Sequence, residues 1–558
     1  MSDKIKILYN NGKELEVDKN TKIIDIVKLL PPQIKTRVVG SKIDNAIVSM
    51  DTKLKRDTVI NFIDSNDLAG YKMYQAGLKF VFLAAIYDIF GKEIEASFDH
   101  SIMRGMHITI KGLQITNKEI IRIKERMTKI INDDLRILKM NVLSKEMVEF
   151  YKKEKKIPNC YNVSNIDDAL VTLYKLENYF DYFYVEMPYS TGCLSRFDLV
   201  ALNDSEVVLL FPTPRTKNEV PSYVHYEKVI ECFKNEKKWL KSLDIPYAYQ
   251  VNKVVASGKI KDLIRLSEIN YDNKIHEVAT KILERNSKFV MIAGPSSSGK
   301  TTTCKKLSLD LQARGIKTLT ISVDDYFKNR VDTPKLPDGK YDFESIASID
   351  VESLNKDIND LLVGKEVSLP TYNFVSGVRE FVKGKTKIDS NYIILMEGLH
   401  CLNDELTPYI NNDIKYKIYL SPFMPLNLDS NNYISTTDLR LIRRMIRDNR
   451  TRGNDVSKTI CSWQDVRSGE EKYIFPFQEE ADVMFNSALI YELAALRRYV
   501  VPVLEAVTPD VPEYTKARRL LDFCQYFLDL PDEEDVPNNS LLREFIGKSV
   551  FFKGESQV

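Results

Sequence analysis

The sequence has few of the residues that build disulfide frameworks or histidine-based metal sites. Its seven cysteines are scattered through 558 residues, with no C-x-x-C pair and no repeated spacing. This distribution argues against disulfides and structural zinc and favours a reducing compartment. The five histidines include no pair at the i, i+4 spacing of a helix face. Zinc or general-base chemistry of the H-x-x-x-H kind is therefore not expected.

Strong net charge and long apolar runs are also missing. The formal net charge is only +1, so the chain as a whole has no excess of positive charge that would attract nucleic acid. The longest nearly uncharged apolar run, residues 80–87, is far shorter than a membrane span. The first six residues contain no apolar segment of a secretory signal. We therefore expect a cytoplasmic protein without a membrane partner.

What the sequence does contain is a phosphate-binding pattern. Residues 294–301, Gly-Pro-Ser-Ser-Ser-Gly-Lys-Thr, fit G-x-x-x-x-G-K-[ST] and follow the apolar run 289–293. Glycines let the backbone N–H groups approach phosphate oxygens, and the helix expected next points its positive end at the same place. A Gly/Ser turn without a ligand is the alternative. The predicted nucleotide-binding residues are Gly294, Ser296, Ser297, Ser298, Gly299, Lys300 (outer phosphates), Thr301 (magnesium ion) and Thr302.

Two carboxylates follow other apolar runs of the same region. Short apolar strands interleaved with helices predict a parallel sheet with helices on both faces, which binds ligands at the carboxyl ends of its strands. Asp324 follows the run 318–323, and Glu397 follows the run 392–396. We predict Asp324 to be the base for an attacking hydroxyl and both carboxylates to be on the magnesium side. The alternatives are a helix cap and a solvated strand end.

Six arginines crowd residues 440–452. Four of them share one helical face at the spacing i, i+3, i+4, i+7, with hardly an acidic residue among them. Such a face favours an anion, here a triphosphate, whereas a merely solvated basic surface usually mixes in lysines and acids. We expect two or three of these arginines to contact the ligand, Arg443 among them.

Periodicity divides the chain into five parts. Residues 4–9 and 14–17 alternate around the turn 10–12, and a helix at 24–30 and strands at 46–49 and 59–63 follow. Later helices are expected at 74–91 (amphipathic), 116–138, 259–268, 275–285 and 514–527. The predicted parts are a ubiquitin-like (β-grasp) domain at 1–65, an α+β module at 66–245, a helical connector at 246–286, a phosphate-loop domain at 287–500 and a helical tail at 501–558.

The first two domains resemble parts of a tRNA synthetase. Residues 42–52, Lys-Ile-Asp-Asn-Ala-Ile-Val-Ser-Met-Asp-Thr, resemble the TGS domain of threonyl-tRNA synthetases. Residues 70–245 resemble the hydrolytic editing module of threonyl- and alanyl-tRNA synthetases, which uses an H-x-x-x-H pair and a later Cys and His. Here Ala76 and Phe80 occupy the first pair and Phe183 and Met187 the second. We therefore expect a scaffold or binding role without catalysis.

Six segments of the C-terminal half resemble, in order and spacing, the uridine kinase/phosphoribulokinase family. The resemblance implies an α/β phosphate-loop kinase that uses Mg-ATP to phosphorylate a primary hydroxyl, as on the 5′ carbon of a nucleoside. The segments are the phosphate loop, residues 322–327 (Ser-Val-Asp-Asp-Tyr-Phe), 369–379 (Leu-Pro-Thr-Tyr-Asn-Phe-Val-Ser-Gly-Val-Arg), 396–398, 443–448 and 481–483.

The resemblance also implies roles for single residues. Asp324 falls on the family's general base. Apart from the resemblance, Glu344 is predicted to be a substrate-side carboxylate and is the next candidate for the base. Arg447 and Arg452 fall on lid arginines. The predicted catalytic set is thus Asp324, Lys300 and Arg447, and Arg452 joins the predicted cofactor contacts.

The same resemblance describes the acceptor side. Tyr372 and Phe374 fall on the wall of the nucleoside pocket, and Arg379 falls on a substrate-side arginine. Gly377 stands where uridine kinases carry a histidine that reads the pyrimidine edge. Because a polar reader supplies much of the discrimination between substrates, we expect a broader range of acceptors than in a uridine kinase.

Taken together, these features predict a Mg-ATP-dependent nucleoside kinase with ATP and Mg²⁺ as cofactors. One alternative is a kinase for a sugar phosphate or another small alcohol. The other is an RNA-binding or regulatory protein switched by ATP. The N-terminal 63 residues hold twelve Lys/Arg against eight Asp/Glu, which supports an RNA partner only weakly. Homo-oligomerisation is left open.

Overall fold

The N-terminal unit is a mixed sheet with short helices beside it. The computed structural model describes residues 4–10, 12–102, 105–164, 170–214, 216, 219–335, 339, 341–382 and 384–552. The elements of the first unit are β1 (Lys4–Tyr9), β2 (Lys13–Asp18), α1 (Ile23–Leu29), α2 (Pro32–Lys35), β3 (Val38–Ile43), β4 (Ala46–Val48) and β5 (Thr58–Asp64).

These strands form one sheet in the order β2-β1-β5-β3-β4, in which β1 runs parallel to β5. Alternation along β1 buries Ile5 and Ile7 in the same core as Ile23 and Ile26 of α1. The strands and the first helix expected from periodicity are confirmed, while β3 is an addition. Asn11, in the expected turn, lies outside the described residues. A β-grasp assignment stays a prediction.

The second unit packs two antiparallel sheets around a long central helix. Its strands form the sheets β11-β12-β7-β6 and β10-β9-β8. Its elements are α3 (Leu68–Phe90), β6 (Glu95–Ile102), β7 (Gly105–Lys111), α4 (Asn117–Asn132), β8 (Leu138–Leu143), α5 (Ser144–Lys153), α6 (Ile157–Ser164), β9 (Leu170–Leu176), β10 (Tyr179–Tyr182), β11 (Asp198–Ala201) and β12 (Glu206–Leu210).

Helix α3 departs from the expected amphipathic helix. It begins at Leu68, and residues 73–86 are buried on every side. Among the described residues it is the one helix long and apolar enough to cross a membrane, and 78% of its most apolar window is buried inside the protein. The helix therefore forms the centre of a core. Helix α4 is amphipathic as expected, and the side chain of its N-cap Thr116 accepts a hydrogen bond from the N–H of Lys118.

Helix α7 (Glu227–Ser242) precedes the predicted connector, which contains α8 (Ala248–Ala256) and α9 (Ile260–Glu284). Sequence periodicity predicted two helices where the single 25-residue helix α9 is found. The buried residues of α9 continue through the expected break with Tyr271, so packing overrides the local pattern.

The phosphate-loop domain is a parallel sheet with helices on both faces, as predicted. The strand order is β14-β19-β13-β20-β21. Val290 and Ile292 face the core that includes α10 and α12, whereas Phe289 and Met291 face the core that includes α11. The elements are β13 (Phe289–Ala293), α10 (Lys300–Ala313), β14 (Lys317–Ser322), α11 (Val351–Leu362), β15 (Val367–Ser368), β16 (Thr371–Asn373), β17 (Val378–Glu380), β18 (Lys385–Thr386), β19 (Tyr392–Glu397), β20 (Lys415–Ser421), α12 (Thr436–Arg452), α13 (Val456–Tyr473), β21 (Val483–Asn486) and α14 (Glu492–Glu505).

The tail contains α15 (Tyr514–Cys524), which packs on α14, and the short α16 (Arg543–Ile546). The connection between β20 and α12 leaves the parallel sheet and packs on the second unit. There Ser430 accepts a hydrogen bond from the N–H of Phe98 at 2.8 Å, and Asn162 donates to the carbonyl of Leu428 at 3.0 Å. The two halves thus share buried contacts. The predicted domain boundaries stay predictions.

Candidate active site at the phosphate loop

The loop after β13 turns through two left-handed residues, Ser297 (φ 59°) and Gly299 (φ 90°). A Cβ on Gly294 would lie 2.3 Å from the carbonyl oxygen of Leu420, so only glycine fits beside β20. The Lys300 ammonium turns back and donates to the carbonyl of Gly294 at 2.9 Å. These contacts hold the loop in a closed curve around the start of α10.

The curve presents unsatisfied polar groups. The hydroxyls of Ser297 and Ser298 are buried and have no hydrogen-bond partner. Helix α10 begins at Lys300, so the unpaired N–H groups of its first turn lie at the end of the loop. Buried donors without partners are costly, and an anion at a helix N-terminus satisfies them. The residues present therefore fit the phosphates of a nucleotide.

The two predicted carboxylates lie at the same edge of the sheet. In the strand register, Glu397 pairs with Ile292 on one side and Ser322 on the other, and Asp324 follows β14 in a short 3₁₀ helix. Burial raises the pKa of Glu397 to about 7, with Lys300 opposing the shift and Asp324 adding to it. Asp324 is exposed to solvent, but the protein atoms crowded around its carboxyl still raise its pKa, against the lowering effect of Lys300. The three charges act on one another within one site.

Glu344 joins them from the segment before α11. Burial raises its pKa to about 7, with Glu470 adding to the shift and Arg444 opposing it. A Cβ on Gly469 would lie 2.8 Å from the Glu344 Cγ, so this side chain packs directly on α13. The charge of Asp324 also contributes to this shift, so the two carboxylates lie in one electrostatic environment; the substrate-side role of Glu344 stays a prediction.

The predicted magnesium side consists of Thr301, Asp324 and Glu397. Within the described ranges, no group of three or more His, Cys, Asp or Glu side chains is arranged to hold a metal by itself. Mg²⁺ keeps several waters and binds through one or two carboxylates together with substrate phosphates. Two carboxylates and a hydroxyl beside the phosphate loop fit that pattern of ligands.

The arginine helix α12 requires a correction. Its face is not left without acidic partners, because α13 and α14 supply them. Arg440 pairs with Glu470, and Arg443 pairs with Glu492 at 2.7 Å, all four side chains being buried. The partners lie on later helices, so local charge patterning could not reveal them. Arg440 and Arg443 therefore form structural ion pairs with these glutamates.

The predicted phosphate contact of Arg443 is corrected with it, while that of Ser296 stays a prediction. Arg443 donates to the carbonyl of Ser298 at 3.4 Å and to that of Ser487 at 3.0 Å, which places it behind the loop. The N–H of Ser296 donates to Glu470, and its hydroxyl accepts from Arg444. Arg443 therefore holds the backbone of the loop from behind, whereas the Ser296 hydroxyl still has a hydrogen to donate.

The exposed end of α12 remains available for a ligand. Arg447 and Arg452 lie beside the buried carboxylate of Asp448, at 2.9 Å and 3.6 Å. The side chain of Arg452 is 55% exposed, and its charge partly opposes the rise in the pKa of Asp324. Both arginines therefore stay candidates for contact with a transferred phosphate.

The residues predicted to line the acceptor side form an aromatic cluster that includes the hairpin β16–β17. The rings of Tyr372 and Phe374 are 5.1 Å apart, and Phe327 lies 5.5 Å from Tyr372. Phe327 was not predicted as a site residue, although it ends the motif that contains Asp324. Arg379 forms an ion pair with Asp350 at 2.8 Å. The hydroxyl of Tyr372 is buried without a partner, which leaves a polar group for a ligand.

Arg330 covers the position predicted to read the base. Gly377 has φ +73°, and a Cβ there would lie 2.8 Å from the Nε of Arg330. Arg330 also donates to the carbonyl of Phe374 at 2.7 Å. A histidine at Gly377 would be strained and would collide with this side chain. Sequence reasoning missed Arg330 because only the folded hairpin brings it to Gly377.

The counterpart of the editing site is filled with apolar side chains. Ala76, Phe80, Phe183 and Met187 share one buried core, with the rings of Phe80 and Phe183 5.7 Å apart. A cavity of about 30 Å³ beside them, room for about one water, is lined by Ala76, Lys79 and Phe183 and by three residues near the start of α12. Those residues are Asn432, Tyr433 and Ser435.

Comparison with known proteins agrees with this geometry. Residues 289–493 match the phosphoribulokinase/uridine kinase family. The chain is 29% identical over 202 residues to uridine-cytidine kinase A of Dictyostelium discoideum, covering 36% of each protein. It is 25% identical over 182 residues to a threonine–tRNA ligase of Clostridium kluyveri, covering 32% of this chain and 28% of that one. A solved structure of a possible uridine kinase from Bacillus stearothermophilus has 20% identity and a TM-score of 0.27, covering 38% of this chain and 98% of that one.

Both resemblances stated from the sequence are thereby confirmed. The C-terminal match carries the phosphate loop, Asp324, Glu397 and α12, and it supports a kinase of the nucleoside type for that region. The tRNA ligase match falls on the N-terminal region. The chain spans about a third of the length of these two curated relatives.

Proposed function

We propose that the protein is a Mg-ATP-dependent kinase that phosphorylates a primary hydroxyl of a nucleoside-like acceptor. The observation that carries the proposal is the meeting of Lys300, Asp324 and Glu397 at one edge of the parallel sheet. The aromatic cluster of Phe327, Tyr372 and Phe374 starts from the same loop as Asp324 and supplies a wall for the acceptor.

In this proposal Asp324 accepts the proton of the attacking hydroxyl. Partial desolvation by the surrounding protein raises its pKa, which makes the ionised carboxylate a stronger base than an isolated aspartate. Lys300, Arg447 and Arg452 stabilise negative charge on the transferred group. Thr301 and Glu397 hold the metal side. ATP supplies the phosphoryl group, and Mg²⁺ neutralises part of its charge.

The acceptor class follows from the hairpin. Aromatic rings stack on any base, at about 1–3 kcal/mol per base, and do not distinguish one base from another. Arg330 is the polar side chain beside Phe374, and it is the candidate for reading a base edge or a sugar phosphate. We therefore expect several nucleosides to be accepted, with kcat/KM for the best and second-best bases within about a hundredfold.

The test is ADP release from full-length protein with a panel of nucleosides, sugar phosphates and small alcohols. We expect nucleosides to give the largest kcat/KM and Asp324→Asn to lower kcat by about a hundredfold or more. The matched control is Asp332→Asn, an exposed aspartate of the following turn, which should behave as wild type.

Three outcomes would contradict the proposal. Preference for a sugar phosphate or small alcohol would show that the acceptor is not a nucleoside. Unchanged kcat in Asp324→Asn would show that Asp324 is not the base, and Glu344 would be the next candidate. Absence of acceptor-dependent ADP release would contradict the kinase activity itself.

The role of Arg330 is tested separately with an Arg330→Met variant. Unchanged relative rates among the nucleosides would exclude Arg330 as the residue that distinguishes one base from another.

A further inference from the structure

The C-terminal segment, residues 532–552, packs against the phosphate loop although it lies outside the region that matches the kinase family. Leu541 is fully buried. A Cβ on Gly299 would lie 2.3 Å from the Leu541 Cδ1, so Leu541 contacts the loop at the glycine just before Lys300. The segment is therefore a direct neighbour of the predicted nucleotide site.

Contacts on both sides hold this segment in place. The buried Arg543 donates to the carbonyl of Val536 at 2.6 Å, which closes the segment on itself. Arg450 of α12 donates to the carbonyls of Phe545 at 3.1 Å and Glu544 at 3.2 Å. The guanidinium of Arg443 lies over the ring of Phe545 at 5.2 Å. The same helix that holds the phosphate loop thus fixes α16.

These contacts direct the carboxylate of Glu544 to the start of α10. The Thr302 hydroxyl donates to it at 2.6 Å. Thr302 is the third residue of α10, in the turn whose unpaired N–H groups and positive dipole end attract anions. The charge of Glu544 also contributes to the raised pKa of Glu397. An internal anion therefore lies at the anion-binding end of this helix.

We propose that Glu544 is a residue of the nucleotide site and competes with the nucleotide's phosphates for Thr302 and the N-terminus of α10. The C-terminal segment thereby sets the affinity of the loop. The inference rests on the proposed function, because it requires the loop to bind a nucleoside triphosphate. Like charges that lie close together repel each other. The phosphates therefore either displace the Glu544 carboxylate or bind more weakly beside it.

The test compares full-length wild type with Glu544→Gln, which keeps the size and hydrogen-bonding capacity of the side chain but removes its charge. Calorimetry measures the Kd of Mg-ATP and, separately, of inorganic tripolyphosphate. We expect Glu544→Gln to lower both Kd values by about 3- to 10-fold. Glu534→Gln is the matched control, because this exposed acid of the same segment pairs with Lys548 and should leave both values unchanged.

A second variant protects the test against loss of folding. Glu544→Asp retracts the same charge by one methylene and should give Kd values between those of wild type and Glu544→Gln. Thermal unfolding checks each variant, and if Glu544→Gln does not fold, Glu544→Asp decides.

The outcomes separate this inference from the proposed function. Unchanged Kd values in a folded Glu544→Gln, with acceptor-dependent turnover intact, overturn the inference alone. Weaker ATP binding with unchanged tripolyphosphate binding also overturns it and assigns Glu544 to the nucleoside part of the nucleotide. Failure of wild type to bind Mg-ATP overturns the proposed function together with the inference.

Discussion

The predicted phosphate-binding site of the C-terminal half and the predicted editing-site counterpart of the N-terminal half differ in the side chains that fill them. Around the phosphate loop, Lys300, Asp324 and Glu397 meet where hydroxyls are left without partners. At the counterpart of the editing site, Phe80 and Phe183 pack ring against ring. The first site brings charged side chains together beside unsatisfied hydroxyls, whereas apolar side chains occupy the four predicted catalytic positions of the second.

The largest expected effect lies in the C-terminal half. Lys300→Ala should abolish phosphoryl transfer and leave the fold intact, because the ammonium acts electrostatically on phosphate at the loop. Acceptor-dependent ADP release measures activity, and thermal unfolding measures folding. The matched control is Lys317→Ala. This lysine is half-exposed and lies at the start of β14, away from the strand end that precedes Asp324, so the variant should keep full activity. Wild-type turnover in Lys300→Ala would show that the phosphate loop is not the site of phosphoryl transfer, and the two halves would no longer differ in this respect.

The arginines of α12 sharpen the comparison within the C-terminal half. Arg443→Met should lower the free energy of unfolding by about 3–5 kcal/mol, because it leaves Glu492 buried without its partner. Arg452→Met, at an exposed position, should change it by less than about 0.5 kcal/mol but raise the KM for ATP. Urea unfolding and ADP-release kinetics measure the two effects. If Arg443→Met instead changed the stability little and the KM for ATP strongly, the original prediction that Arg443 contacts phosphate would be supported.

A smaller effect is expected at Lys79, which lies in the filled site of the N-terminal half. Burial lowers its pKa from 10.5 to about 7, with the charge of Asp429 opposing the shift and that of Lys72 adding to it. Its ammonium faces the rings of Phe98 and Phe183 at 4.9 Å and 5.2 Å. A neutral, apolar side chain should suit this core better, so Lys79→Met should stabilise the protein by roughly 1–2 kcal/mol at pH 7.

The pH dependence of that gain checks its cause. Between pH 7 and about 10.5 the unfolded chain holds more protons on this lysine than the folded chain does, so the stability of wild type rises with pH. Lys79→Met lacks this contribution, and its advantage should shrink from pH 7 to pH 10 in thermal unfolding. The exposed control Lys118→Met should show no such trend. A constant advantage would assign the gain to packing rather than charge.

The smallest expected effect is an absence of activity. The full-length chain should not hydrolyse mischarged tRNA above the buffer rate, because apolar residues stand at all four predicted catalytic positions (76, 80, 183 and 187). A threonine–tRNA ligase serves as the positive control. Deacylation that depends on the protein would show that the N-terminal half keeps its own chemistry by another route.

Local signals in the sequence were sufficient for much of the C-terminal half. The phosphate loop, β13, β14, β19 and β20 lie within a residue or two of their predicted positions, and Asp324 and Glu397 end neighbouring strands as expected. Each of these features is written in consecutive residues, as a short apolar run followed by a polar one. Their meeting also follows from sequence, because the carboxyl ends of parallel strands lie at one edge.

The tertiary structure alone decided which charges are free to act. Arg443 and Ser296 are predicted phosphate contacts that the fold pairs with Glu492 and Glu470, while Arg330 reaches Gly377 and Glu544 reaches Thr302 without a sequence signal. In each case the partner lies tens to hundreds of residues away. Pattern and propensity act within a few turns or strands, whereas burial and charge pairing depend on which distant segments pack together.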